Sequence, residues 1–293
     1  MHSTAEATLV ARRGWDPVVG SGVAVLAGRD DDHPRALRLG PTVLPLDRRA
    51  ARRFPMVGAE VAVTASLLEL LPTPPTVAVV VPSEVDFSTV VDEVRHISCA
   101  LLELDEEALL TVGLACPAPV APGTAGDLCL YNLHPDVLTE ALVESVAAAR
   151  RANLVTLHGN SVLLVQRFAP PKASAVVYAS PNRRQPVRIA GRWGLTEDSQ
   201  PADHFEVDPD GRGVRETLAC KPTANMTAHG GTQRVDLETA CQYQSSLSRA
   251  SVLGLAAQAR AAAATAGQPL SLDVGMYDDT PVVLRCRPCA ASL

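Results

Sequence analysis

Apolar residues run almost unbroken through Ser161-Val-Leu-Leu-Val-Gln-Arg-Phe168, with one interior amide at Gln166. That pattern predicts a strand buried on both faces. Past the breaker Pro170-Pro171, Ser174-Ala-Val-Val-Tyr178 reads as a second strand, closed by the turn Ser180-Pro181-Asn182. Val187-Arg-Ile-Ala190 leads into Arg192-Trp-Gly-Leu-Thr-Glu197, and Asp203-His-Phe-Glu-Val-Asp208 ends the series. Upstream, Glu60-Val-Ala-Val-Thr64 and Thr76-Val-Ala-Val-Val-Val81 predict strands on either side of the proline loop 72–75. Apolar residues at helical spacing predict helices over 87–102, over 137–154 behind Pro135-Asp136, and over 246–266, the last stopped by Gly267. Leu270-Ser-Leu-Asp-Val-Gly275 and residues 281–288 read as the last two strands, and the glycines of Ala228-His-Gly-Gly-Thr232 suit a lid loop. The acidic run 105–107 reads as the first turn of a helix.

Strands mixed with helices make this an α+β chain, and 293 residues hold one large or two smaller domains. Hydrophobic residues reach 47% but aromatics only 3%, so alanine, valine and leucine must fill the core. A net charge of −6 leaves no basic footprint, which argues against nucleic acid as a partner. With no membrane-length apolar run and no secretory leader in view, the expectation is a cytoplasmic protein with no membrane partner. Seven scattered cysteines fit reduced thiols; Cys286-Arg-Pro-Cys289 has zinc spacing but no second pair, and no metal site is expected. His96 on a helix and His158 in a turn read as packed or solvent-facing. Arg48, Arg49, Arg52 and Arg53 would bind anions or form a solvated helix face.

The run from 159 to 208 resembles the nucleotide-binding ATP-grasp domain of the pyruvate phosphate dikinase, phosphoenolpyruvate synthase and rifampin phosphotransferase family. Leu164-Val-Gln-Arg-Phe168, Ser174-Ala-Val-Val-Tyr178, Ile189-Ala-Gly-Arg-Trp-Gly-Leu-Thr-Glu197 and Asp203-His-Phe-Glu-Val-Asp208 follow that family's V-V-V-Q-x-M-V, S-G-V-x-F-T, I-E-A-x-W-G-L-G-E and P-D-x-Y-x-V-D in order. The resemblance implies an ATP-grasp-like fold of two lobes, mixed or antiparallel sheets with flanking helices around a central cleft, placed at 1–110 and 111–293.

The groups that grip phosphate and metal in that family have changed. The opening lysine has no counterpart near Ser21-Gly22, Gly113 stands for the V-R-S-S arginine, and Ala190 for the first W-G-L-G-E glutamate. Ser271 and Asp273 replace the acids of D-I-E-W, Arg285 replaces the glutamine of Q-A-R-P, and Arg287 is kept. Each lost charged contact to phosphate is worth roughly 1.5–3 kcal/mol, so the expectation is no cofactor, MgATP included. Three readings stay open. One is an enzyme of a secondary-metabolite pathway performing ATP-independent elimination, cyclisation or isomerisation, with Glu197, Asp273 and Arg285 catalytic and Gln166, Trp193, Lys221 and Arg287 binding a small-molecule ligand. The second is a non-catalytic relative that binds a ligand, a partner protein or a second copy of itself. The third is an ATP-dependent phosphotransferase subunit serving a separate phosphohistidine protein. Arg285 stands in for a phosphate contact or the metal, or else pairs inertly with Asp273.

Overall fold

The apolar runs at 76–81 and 161–168 become neighbouring antiparallel strands at the centre of a seven-stranded sheet. The computed structural model describes residues 19–20, 23–25, 41–46, 54–104, 108–119, 129–156, 159–195, 200–228 and 231–290. They pack into two compact units, the first formed by residues up to Ala65, Pro75–Ala118 and the described part of Gly126–Phe168. Ser66–Pro74 and the chain from Ala169 onward belong to the second. The boundary expected at 110/111 falls inside the strand Leu109–Leu114, which hydrogen-bonds along its length to 163–168.

In the first unit the strands are β1 (Val19–Gly20), β2 (Val23–Val25), β3 (Thr42–Pro45), β4 (Thr76–Val81), β5 (Leu109–Leu114), β6 (Cys129–Leu133) and β7 (Ser161–Phe168). Their order is β1-β2-β3-β4-β7-β5-β6, antiparallel except where β2 meets β3. Helices cover both faces, which is why β4 and β7 are apolar without alternation. Val77, Val79, Leu163 and Val165 face α2 (Val91–Leu101) and α3 (Leu138–Arg151), while Ala78, Val80 and Leu164 face α1 (Phe54–Leu67).

Residues 60–64, expected as a strand, are helical: Val61 and Ala65, four apart, share one buried face. A short apolar run bounded by small residues fits either form, and tertiary burial decided for the helix. Helix α1 is broken at Gly58, whose φ is +80°, and Glu60 just beyond is fully buried, accepting the Cys116 amide at 2.6 Å. The helices expected from 87 and 137 each begin with a short 3-10 turn, at Phe87–Thr89 and Pro135–Val137. The acidic run 105–107 lies outside the described residues, and the chain after it is strand β5.

In the second unit, β8 (Ala173–Ala179), β9 (Val187–Trp193), β10 (Asp203–Val207), β11 (Val214–Thr217), β14 (Leu270–Tyr277) and β15 (Thr280–Pro288) form an antiparallel sheet. Its order is β11-β10-β9-β8-β14-β15. Helix α5 (Arg249–Ala266) packs across one face, after the short turn α4 (Thr239–Gln242). Ser248 caps α5 by accepting the Ser251 amide at 3.1 Å, and Gly267 ends it in the left-handed region. Ala256, Ala259, Ala262 and Ala263 are all but inaccessible; their small side chains let the helix lie close on the strands.

Of the stretch 228–232, expected as a lid, Ala228 ends β12 (Thr223–Ala228) and Gly231 and Thr232 open β13 (Gly231–Asp236), the two strands forming a hairpin with Ala228 paired to Gly231, while residues 229–230 lie outside the described residues. The Trp-Gly turn after β9 bridges to this hairpin through Gly194 and Asn225. Gly194 has φ +69°, and a Cβ there would lie 2.2 Å from the Asn225 carbonyl oxygen. Gly194→Ala is expected to destabilise the fold by well over about 1 kcal/mol, read as a lowered urea midpoint with an unchanged m value.

Candidate functional site

Antiparallel pairing of the six-stranded sheet turns the two-residue period of each strand into rows that cross the whole sheet. One row reads Arg287, Ser271, Tyr178, Arg188, Glu206, Arg215, each opposite the next from β15 to β11. The adjacent row on the same side reads Arg285, Asp273, Val176, Ala190, His204, Thr217. Between them run Cys286, Leu272, Val177, Ile189 and Phe205, which turn to the other side, where α5 lies. These two rows therefore carry four arginines and His204 against two carboxylates, in a chain whose net charge is −6.

Several of these charges satisfy one another. Arg287 donates from Nη2 to both oxygens of Asp273, at 2.8 and 2.9 Å, and both side chains are buried. Arg215 pairs with Glu206 at 3.3 Å, an exposed contact of little energetic weight. Arg285, opposite Asp273 in the register, is 4% exposed. By contrast the side chains of Tyr178, Arg188 and His204 make no hydrogen bond or ion pair among the described residues. All three line one cavity of about 440 Å³, together with Val176, Glu206 and Ser271. That volume falls within the range of small-molecule sites.

The expected site residues are distributed as follows. Asp273, Arg285 and Arg287 come together on this side of the sheet. Trp193 is on β9 but faces the α5 side, where its Nε1 donates to the Cys241 carbonyl at 3.2 Å. There it lines a separate hollow of about 510 Å³ with Phe205, Val252 and Met276. Gln166 belongs to the first unit, where its amide donates to Thr76 Oγ1 at 3.0 Å and accepts from Thr111 Oγ1 at 3.4 Å, in a polar rung across β4, β7 and β5. Glu197 lies outside the described residues, as do His158, the four arginines at 48–53 and the glycine-rich stretch 124–128. His96 is exposed on α2.

Lys221 is 1% exposed, with its Nζ 2.5 Å from Asp203 Oδ1 and 3.0 Å from the Ala219 carbonyl. Asp203 also accepts the Ala219 amide and, through Oδ2, the amide and hydroxyl of Ser246. Burial alone pushes the Asp203 carboxyl up, but Lys221 and the Ser246 and Ala219 donors outweigh it and hold it below the ordinary carboxylate range. This closed network ties β10 to the segments 219–221 and 245–248, a structural task.

Tyr178, Arg188, His204 and Arg215 were not singled out in the sequence as site residues. The available signal was alternation: polar positions two apart in 204–206 and 215–217 mark one side of a strand. Which strands place those positions together depends on register, which alternation does not encode.

No protein-family model matches this sequence, and no curated protein matches it. Among solved structures, similar ones include a D-alanine–D-alanine ligase from Bacillus anthracis, at 10% identity and a TM-score of 0.36 over 82% of this chain and 59% of the ligase. An L-amino acid ligase from Bacillus licheniformis matches at 12% identity and 0.38, over 82% and 44%. An ATP citrate lyase from Methanothrix soehngenii matches at 17% and 0.38, over 72% and 43%. This chain thus spans less than two thirds of the length of each of these three proteins.

Two expectations follow from the buried network. Lys221→Ala leaves Asp203 buried without its counterion and is expected to remove about 3–5 kcal/mol of stability, measured by urea unfolding. Because the folded Asp203 titrates below its unfolded value of about 3.9, its contribution is complete above that pH and fades as pH falls through the folded value. The stability gap between wild type and Asp203→Asn should accordingly narrow below about pH 4, followed by unfolding curves across an acid series.

Proposed function

We propose that this protein binds a small organic anion on the open side of its six-stranded sheet, on an ATP-grasp-like scaffold that has lost the phosphate and metal apparatus. The observation that carries the reading is the set of three unengaged polar groups, Tyr178, Arg188 and His204, lining one cavity while the neighbouring charges are paired off. An exposed guanidinium with no carboxylate partner, beside a phenol and an imidazole, supplies a charge-assisted donor fork and further donors for a carboxylate or phosphate. Val176 and the ring of Tyr178 offer an apolar wall for the body of such a ligand. The scaffold reading is supported by where the family-like segments fall: on β7, β8, β9 with its Gly194 turn, β10, β14 and β15, in the expected order.

A catalytic role is favoured by one feature, the presence of His204 and Tyr178 in the same cavity, since both exchange protons in acid–base chemistry. Asp273 suits that work less well. Both oxygens of that carboxylate are already engaged by a buried guanidinium, which holds it in place.

Isothermal titration of the full chain with pyrophosphate and citrate tests the binding reading. Saturable binding is expected, weakened about tenfold or more in Arg188→Ala, because one charge-assisted hydrogen bond is worth about 1.5–3 kcal/mol. Equal affinity in wild type and in the Arg188→Ala/His204→Ala double variant would remove the site. Catalysis would show as a change in mass or isomer composition of an anionic metabolite mixture, caused by wild type and absent with His204→Ala.

A further inference from the structure

We infer that Arg215 is a positioning residue for the anion site: by holding Glu206 it keeps that carboxylate off Arg188 and leaves the Arg188 guanidinium open to the ligand. The inference rests on the anion-site reading above and concerns what keeps that site competent. All three side chains line the cavity. Strand register sets them in one line, with Arg188 on β9 directly opposite Glu206 on β10, and Glu206 directly opposite Arg215 on β11. Across the three strands the charges therefore run positive, negative, positive. Residues directly opposite in an antiparallel pair have Cβ atoms about 4.5–5.5 Å apart, so one carboxylate has two guanidinium groups within side-chain reach.

The structure shows which of the two Glu206 takes. Its Oε1 accepts from Arg215 Nη1 at 3.3 Å, while the Arg188 side chain has no partner among the described residues. Strand β11 ends the sheet order, so Arg215 has a single cross-strand neighbour among the described strands, whereas Glu206 has one on each side. The Arg215–Glu206 contact is exposed and weak, and its effect on the site comes from where it directs the carboxylate. Without Arg215, the cation directly across from Glu206 is Arg188. A carboxylate on Arg188 occupies the same donor fork that grips a ligand carboxylate or phosphate. Glu206 then competes with the ligand from inside the cavity, and apparent affinity falls in proportion to the fraction of molecules in which Arg188 is free.

The test is a double-mutant cycle on affinity, by calorimetric titration of the full chain with pyrophosphate and with citrate in one buffer. The proteins compared are wild type, Arg215→Ala, Glu206→Gln, the Arg215→Ala/Glu206→Gln double variant and Arg215→Lys. Arg215→Ala is expected to weaken binding about two- to sixfold, and Arg215→Lys, which keeps a cation for Glu206, to stay near wild type. Glu206→Gln should bind at least as tightly as wild type, and adding Arg215→Ala to it should cost clearly less than the same change costs in wild type. An equal Arg215→Ala penalty in both backgrounds means that Arg215 acts through its own charge or its own contact with the anion. That result overturns the inference and leaves the anion site standing, as does unchanged affinity in Arg215→Ala or weakened affinity in Glu206→Gln. No saturable binding of either probe by any of these proteins overturns the anion site itself, and the inference with it.

Discussion

Register in the six-stranded sheet is the constraint on which the rest of the second unit depends. Side chains alternate strictly between the two sides of a strand, so a slip of one residue in any pairing would exchange the apolar row under α5 for the charged row opposite. Leu272, Val177, Ile189 and Phe205 must lie under the alanines of α5, and this requirement forces Asp273, Val176, Arg188 and His204 to the other side. The hydrophobic core therefore sets the polar surface. A bulge between Asp273 and Val274 is the one irregularity in the β14–β15 pairing; it lets Val283 and Cys286 share a side although they are three residues apart.

The same constraint sorts the buried charges into two kinds. Asp203 and Lys221 sit on the α5 side or at the edge of it, inaccessible and surrounded by backbone donors, and their network joins segments far apart in sequence. Asp273 and Arg287 lie in the polar rows, where their mutual clamp removes a carboxylate from the inventory of groups able to meet a ligand. A buried pair of either kind resists loss of one partner because the survivor is left as an uncompensated charge. What differs is the neighbourhood: hydrophobic packing around the first, unengaged polar groups a few strands from the second.

Much of the secondary structure could be read along the chain because each element signals locally. The strands at 76–81, 161–168, 203–207 and 270–277 and the helices at 91–101, 138–151 and 249–266 carry their period and their stops in contiguous residues. Helix α1 escaped because Val61 and Ala65 announce themselves only by what they pack against. A family-like motif drew attention to Asp273, Arg285 and Arg287, which do not line the cavity, whereas the lining Tyr178, Arg188 and His204 carried no such motif. They belong to three different strands and meet through hydrogen-bonded pairing alone.

The sequence by itself determined an α+β chain, the apolar runs that must be buried, and the caps and breakers that end the helices. These are properties of neighbours along the backbone, where propensity and periodicity act. Tertiary structure alone decided that Lys221 serves Asp203, that Arg287 clamps Asp273, that Trp193 faces away from those charges, and that a phenol, a guanidinium and an imidazole share one cavity. Those outcomes hinge on strand register and helix docking, which arise from burying whole surfaces together and leave no mark on any single stretch of residues.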